Sequence, residues 1–536
     1  MPKSAPSKST RGNSARKQAS RATPAHQTKP GVEKLPTHIP GFDFIARGGL
    51  PAGRTTLVAG SAGSAKTIFA VQFLAAGIME EGHAGVFVTF EDLPEELRRN
   101  MRSFGWDIER WERENKWAFV DVSPDFEDPT PVIGTYDLGG LTSRIVHAVK
   151  KIGARRVALD SLSALFMSLP DAAALRGELY KIMTTLKQLN VTVIFTGERT
   201  DEYGHVTRAE VEEFVSDNVV ILRNLLTDER RRRTMEVLKF RGASHERGEV
   251  PFTITDSGIV VIPLTAQELT QTSSTVRTTS GISRLDEMCD GGFFRDSVIL
   301  VSGATGTGKT LMVTQFMNGG MRAGEKSLLF AFEESRDQLI RNAAAWGMDF
   351  LGMEKQGLLK IVTAYPHAMP MEDHLVAMRK IIEDFAPERV AVDSLSALER
   401  VFSLRSFREF VIGLTALLKR RSVASLFTST TPTLQGGGSI TEKHISTLTD
   451  SIILLRYVEV GGSMRRVITV LKMRGSRHDP DIHEYTIESD GMRIGEPFGR
   501  LTGILSGHQP DSGSGTEVPS ADSTSEGDEL EEATEE

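Results

Sequence analysis

Short, unbroken apolar runs recur along the chain, separated by stretches whose apolar positions return every three to four residues. Thr55 to Ala59 (TTLVA), Gly85 to Phe90 (GVFVTF) and Arg156 to Leu159 (RVAL) read as buried strands. Ser297 to Ser302 (SVILVS), Leu328 to Phe332 and Arg389 to Val392 repeat the plan further on. Leu311 to Met321 has the spacing of a helix. Strands alternating with helical stretches predict a mostly parallel sheet with helices on both faces. Ligands in such sheets sit at the carboxyl ends of the strands.

The second set of runs is a copy of the first. Asp160-Ser161-Leu162-Ser163-Ala164-Leu165 recurs letter for letter at Asp393 to Leu398. Ser216 to Arg223 (SDNVVILR) resembles Thr449 to Arg456 (TDSIILLR), and Lys239-Phe240-Arg241-Gly242 matches Lys472-Met473-Arg474-Gly475. A series of matches in one order predicts a tandem duplication of an α/β domain. The expected organisation is a basic disordered tail over 1–33, a first domain over 34–264, and a polar linker over 265–279. A second domain over 280–507 and an acidic tail over 508–536 complete it.

Composition narrows the setting. The 536 residues carry a formal net charge of -8, which argues against a dedicated nucleic-acid binder. Cys289 is the single cysteine, so no internal disulfide can form and a reducing compartment fits. No apolar run is long enough to cross a bilayer, and the N-terminus lacks the apolar core of a signal peptide. A cytoplasmic location is expected.

The strand SVILVS runs into Gly303-Ala304-Thr305-Gly306-Thr307-Gly308-Lys309-Thr310, and TTLVA runs into Gly60-Ser61-Ala62-Gly63-Ser64-Ala65-Lys66-Thr67. Strand, Gly-rich loop and helix make a P-loop, whose backbone N–H groups surround phosphate oxygens. Lys309 and Lys66 would reach the terminal phosphates of ATP, and the Thr310 and Thr67 hydroxyls would bind Mg²⁺. Ala65 stands where a glycine is wanted, and a positive φ there would be costly. Asp160 and Asp393 end strands, as the Mg²⁺-side aspartate of P-loop proteins does; the same residues could instead cap helices. Glu91-Asp92 and Glu333-Glu334 also end strands, and paired carboxylates make one a better proton acceptor. Lys239 with Arg241, and Lys472 with Arg474, alternate along expected strands and share a face. They would serve a neighbouring subunit's phosphates or form an exposed basic edge. Aligning Asp217 with Asp450 sets Ser446-Thr447 against Glu213-Phe214, and Thr441 against Arg208. Only the second repeat then offers hydroxyls as phosphoryl acceptors.

These residues resemble the KaiC family of double-domain ATPases and autokinases of the circadian clock. The resemblance runs from about His38 to Gly507 and includes Glu333-Glu334-Ser335, Trp346-Gly347-Met348-Asp349-Phe350 and His444-Ile445-Ser446-Thr447. It implies tandem RecA-like P-loop domains, slow ATP hydrolysis in the first, and autophosphorylation of Ser446 and Thr447, with Thr441 nearby, in the second. It also implies phosphate return to ADP and a hexamer with ATP at subunit interfaces. Glu333 would be the general base and a Mg²⁺ contact, with Glu334 beside it. Nucleotide contacts would come from Trp346, Arg466, Lys472, Met473, Arg474, Ser476 and His478 in the second domain. Ser103, Lys239, Phe240, Arg241 and His245 would supply them in the first. The implied partner is a KaiB-like protein. The chain departs from the family at Ala65, at Asp92 in place of glutamate, and at Pro480 in place of lysine. The segment that binds KaiA is unrecognisable after about Gly507, so independence from KaiA is expected. A RecA-type DNA-dependent ATPase or recombinase is the alternative on the same fold, and a nucleotide-gated scaffold is a third reading.

Overall fold

A computed structural model describes residues 32–122, 138–162, 172–206, 213, 215–227, 230–263, 273–431, 445–460 and 462–497. Residues 1–31 of the expected basic tail, the expected acidic tail over 508–536, residues 265–272 of the linker, Arg208, Phe214, Thr441 and His444 lie outside these residues. The chain divides into two compact units, Met1–Leu225 with Arg233–Pro263, and Leu226–Arg232 with Leu264–Glu536.

The first repeat is built on β1 (Thr55–Gly60), β2 (Gly85–Thr89), β3 (Trp117–Asp121), β4 (Arg156–Asp160) and β5 (Thr192–Glu198), continued by β6 (Asn218–Thr227), β7 (Arg230–Phe240), β8 (Glu249–Thr255) and β9 (Gly258–Val261). They form one nine-stranded sheet in the order β9-β8-β7-β6-β1-β5-β4-β2-β3. The strands from β6 to β3 run parallel. The unbroken apolar runs have their reason here, because both faces are covered. Along β1, Leu57 and Ala59 enter one buried cluster and Val58 enters the cluster on the opposite face.

The second unit repeats the plan with β10 (Val298–Gly303), β11 (Ser327–Ala331), β12 (Leu359–Thr363), β13 (Arg389–Asp393), β14 (Ala424–Thr430), β15 (Ser451–Val460), β16 (Ser463–Met473), β17 (His483–Glu488) and β18 (Gly491–Pro497). The order β12-β11-β13-β14-β10-β15-β16-β17-β18 has the same topology. Two nine-stranded, mostly parallel sheets with flanking helices bear out the expected tandem RecA-like class.

Local chemistry sets the element ends. Strand β10 reaches one residue past the expected SVILVS, because Gly303 pairs with both Thr430 and Leu455. Helix α1 (Lys66–Glu81) follows the first loop and α2 (Lys309–Arg322) the second. Beyond β11, Ser335 starts the helix Arg336–Ala345 with a capping box completed by Gln338. That cap holds Glu333-Glu334 in the short link between strand and helix.

One expectation needs correcting. Lys239 and Lys472 lie on strands, but β7 ends at Phe240 and β16 at Met473, so Arg241 and Arg474 stand just beyond them. Neither strand is an edge, since β8 and β17 continue the sheets. The exposed basic edge is therefore not what these cations form.

Candidate functional site

Both P-loops close on their own lysine. Lys309 Nζ donates to the carbonyls of Gly303 and Ala304, each at 2.9 Å, and Lys66 Nζ to those of Gly60 at 2.9 Å and Ser61 at 3.0 Å. Burial lowers the pKa of both lysines, opposed by Asp393 and Glu333 in the second unit and by Asp160 first among several carboxylates in the first. The residue before each lysine has a left-handed backbone, φ 91° at Gly308 and φ 76° at Ala65. The first loop therefore carries a methyl group in the conformation that favours glycine, as its sequence implied.

Thr310 Oγ1 donates to Asp393 Oδ2 at 2.8 Å, and Thr428 donates to the other oxygen. Thr67 Oγ1 donates to Asp160 Oδ2 at 2.7 Å, with Thr196 on the other oxygen. Burial pushes both aspartate pKa values up. Asp393 is turned toward the P-loop threonine, and Ser394 is the residue that precedes the helix Leu395–Glu399. Among the described residues no three His, Cys, Asp or Glu side chains cluster to hold a metal by themselves. One carboxylate and one hydroxyl are a donor set that fits Mg²⁺ shared with phosphate oxygens.

The acidic pairs are carried to the same strand ends. Phe332 N–H donates to Asp393 O at 2.8 Å, and Phe90 N–H to Asp160 O at 3.0 Å. Glu333 and Glu334 then diverge. Glu333 forms an ion pair with Arg400. Glu334 accepts from Asn342 Nδ2 at 3.0 Å. Burial, and then the charge of Asp393, raises the pKa of Glu334. Both glutamates line a cavity of about 130 Å³ that also touches Ser335, Gln338 and Tyr365. In the first unit Glu91 accepts from Ser161 Oγ at 3.3 Å, and burial raises the pKa of both Glu91 and Asp92.

Ser446 and Thr447 lie in a single 3-10 turn, Ile445–Thr447. Lys472 Nζ donates to Ser446 O at 2.7 Å and to Thr449 O at 2.8 Å, while Arg474 Nη2 donates to Thr447 O at 2.9 Å. The basic pair and the turn that carries Ser446 and Thr447 thus form one patch. The first unit has a weaker counterpart: Lys239 reaches Ser216 O at 3.4 Å, and Arg241 pairs with Asp217 at 3.3 Å. Glu213 is half-buried there.

The other residues singled out are more dispersed. Trp346 caps the helix Arg336–Ala345 and packs on the core. Ser103 donates to Asn100 O at 2.8 Å on an exposed turn. Phe240 is buried with the His245 ring edge-on, centroids 5.5 Å apart. Met473 is buried, His478 is half-buried, and Ser476 accepts from Arg277 at 2.5 Å. The Arg466 guanidinium lies 5.6 Å from the ring centroid of Tyr457, whose hydroxyl reaches Gly306 O of the P-loop.

The sequence reading passed over Arg400, Tyr457 and Tyr485. The tyrosine hydroxyls bond the second P-loop at Gly306 O and Thr307 O. The available signal was a difference between repeats, since the equivalent residues are Asn224 and Phe252.

A family model described as "ATPase: KaiC" matches residues 35–266 and 278–498. The chain is 62% identical over 482 residues to the circadian clock protein KaiC3 of a Synechocystis species, covering 90% of this chain and 95% of that protein. It is 53% identical over 476 residues to the circadian clock oscillator protein KaiC of Synechococcus elongatus, covering 89% and 92%. The same-named protein of Thermosynechococcus vestitus is 53% identical over 486 residues, covering 91% and 93%. Among the described residues no helix is long and apolar enough to cross a membrane. With two P-loops of matching geometry on two matching sheets, each inside a matched segment, the chain belongs to the KaiC family of ATPases.

Proposed function

We propose that this ATPase is also a serine/threonine autokinase that phosphorylates its own second unit. The observation that carries the reading is the patch in which Lys472 and Arg474 hold the backbone of Ser446 and Thr447. The first repeat has Glu213 at that place. In the proposed reaction an acceptor hydroxyl oxygen bonds to the γ-phosphorus of ATP, the bond to the β-phosphate oxygen breaks, and ADP leaves. The hydroxyl proton passes to Glu333 or Glu334, and Lys309 and Lys472 offset the negative charge on the transferring group. Run backwards, the same groups return the phosphoryl to ADP, an autophosphatase activity. Thr310 and Asp393, with Glu333 in the resemblance, would hold Mg²⁺, which neutralises phosphate charge when bound. Thr67 and Asp160 would do so for slow hydrolysis in the first unit.

The family resemblance supports transfer across subunit interfaces of a homohexamer. The names of the relatives support a role in biological timing; the family resemblance supports a KaiB-like partner, and the unrecognisable segment after about Gly507 supports independence from KaiA. A cytoplasmic location goes with that role.

Incubation of the full chain with Mg-ATP, followed by phosphosite mapping by mass spectrometry, tests the proposal. Phosphate on Ser446 or Thr447 that disappears in Glu333→Gln is expected. DNA-stimulated turnover without self-labelling would favour the recombinase reading instead.

A further inference from the structure

The two phosphate cradles are braced differently. In the first, Gly63 O accepts from Arg233 Nε at 3.4 Å, and Ser61 Oγ donates to Glu202 Oε1 at 2.6 Å. In the second, Gly306 O accepts from the Tyr457 hydroxyl at 2.7 Å, and Thr307 O accepts from the Tyr485 hydroxyl. Tyr485 is 2% exposed, so its bond is shielded from water.

The positions are structurally equivalent. Tyr485 faces Ile494 across β17 and β18, and Phe252 faces Val261 across β8 and β9. Both hairpins are tied to the helix after the P-loop by a glutamine: Gln315 Oε1 accepts from Met492 N–H at 3.0 Å, and Gln72 Oε1 from Ile259 N–H at 2.7 Å. Phe252 is also 2% exposed but has no hydroxyl to offer. Arg466 occupies the place of Arg233. With Tyr457 on the loop carbonyl, the Arg466 Nε is buried without a hydrogen-bond partner among the described residues.

A trans peptide points its carbonyl and its N–H in opposite directions. Holding the carbonyls of Gly306 and Thr307 on one side fixes where the N–H groups of Thr307 and Gly308 aim on the other. A Gly-rich loop is otherwise among the freest of backbones, and a cradle ordered beforehand loses less entropy on binding. We infer that Tyr457 and Tyr485 are positioning residues that pre-order the second phosphate cradle, so that the second unit releases ATP more slowly than the first. The inference rests on the reading that each P-loop holds ATP.

The test uses the full chain loaded with a ribose-labelled fluorescent ATP analogue and chased with excess ATP, giving two release phases. Tyr485→Phe, the residue of the first repeat, is expected to speed the slower phase about fivefold and leave the faster one alone. Tyr457→Phe, at an exposed hydroxyl, is expected to act on the same phase by about twofold. Phe252→Tyr is expected to slow the faster phase. Unchanged slow release in both tyrosine variants, or both phases moving together, overturns the inference. Wild-type chain that takes up no analogue would instead overturn the underlying assignment of the P-loops.

Discussion

Lys472 holds the carbonyl oxygen of Ser446 at 2.7 Å, twenty-six residues away along the chain. The contact joins the end of β16 to the 3-10 turn that carries the proposed acceptors. It is stiffened from behind, because Asp450 pairs with Lys419 at 2.8 Å and accepts from Val298 N–H at 2.9 Å. Burial lowers the pKa of Lys472, followed by the nearby charge of Arg474.

Replacing the cation should therefore disturb presentation of the acceptors. Lys472→Met is expected to reduce self-labelling of Ser446 and Thr447 by tenfold or more, on the order of a lost charge-assisted hydrogen bond. Site-resolved mass spectrometry over a time course measures it. Labelling at the wild-type rate would leave the contact a structural tie only.

Asp393 is bonded to Thr310 and Thr428 and is the carboxylate proposed for Mg²⁺. Asp393→Asn keeps the shape and removes the charge. The Mg²⁺ concentration giving half-maximal self-labelling is expected to rise about tenfold or more. A Mg²⁺ titration that superimposes on wild type would restrict Asp393 to holding the two threonines.

Ala65 adopts φ 76° at the start of α1, where its counterpart is Gly308. Ala65→Gly is expected to stabilise the first unit by about 1 kcal/mol, the usual cost of a left-handed residue with a Cβ. The reverse change, Gly308→Ala, should destabilise the second, because the new Cβ would lie 3.1 Å from Ile487 Cδ1 and 3.3 Å from Met492 Cε. Urea denaturation of each variant gives the two signs, and equal signs would contradict the pairing.

His374 gives the second unit an acid sensitivity. It is 3% exposed, with the rings of Phe332 and Phe402 edge-on at 5.6 Å and 6.2 Å, and its Nε2 lies 3.2 Å from Pro366 O. Burial holds its pKa below the ordinary 6.5. The unfolded chain then binds a proton at pH values where the folded chain does not, so protonation favours unfolding. Stability is expected to be level above about pH 7 and to fall as the pH drops through 6.5 toward the lower folded value. His374→Gln should flatten that fall in a pH series of melting curves. An unchanged slope would assign the acid sensitivity to other groups.

Much of this molecule could be read from the chain. Leu57, Val58 and Ala59 are apolar because both faces of β1 are covered, and that requirement writes itself as an unbroken run. The duplication was visible because equivalent backbones ask for equivalent residues at Asp160 and Asp393, and at Asp217 and Asp450. The strained position at Ala65 was visible as well, since the loop demands a left-handed residue wherever it occurs. Arg156 and Arg389 were not visible as core residues. A guanidinium enters an apolar interior only when partners surround it, and theirs are remote: Glu81 with the carbonyls of Phe73 and Pro36, and Glu325 with those of Thr279 and Phe316.

By itself the sequence determined what periodicity and short motifs can encode: two copies of a parallel α/β sheet, two P-loops, and acidic residues at strand ends. Tertiary structure alone decided which side chain meets which. It turned Glu333 toward Arg400 and Glu334 toward Asn342, seated Lys472 on Ser446, and put two tyrosine hydroxyls behind the second cradle. Local patterns follow from constraints that act between residues a turn or a pleat apart. Hydrogen bonds between distant segments depend on angstrom-scale placement that only the packed sheets supply.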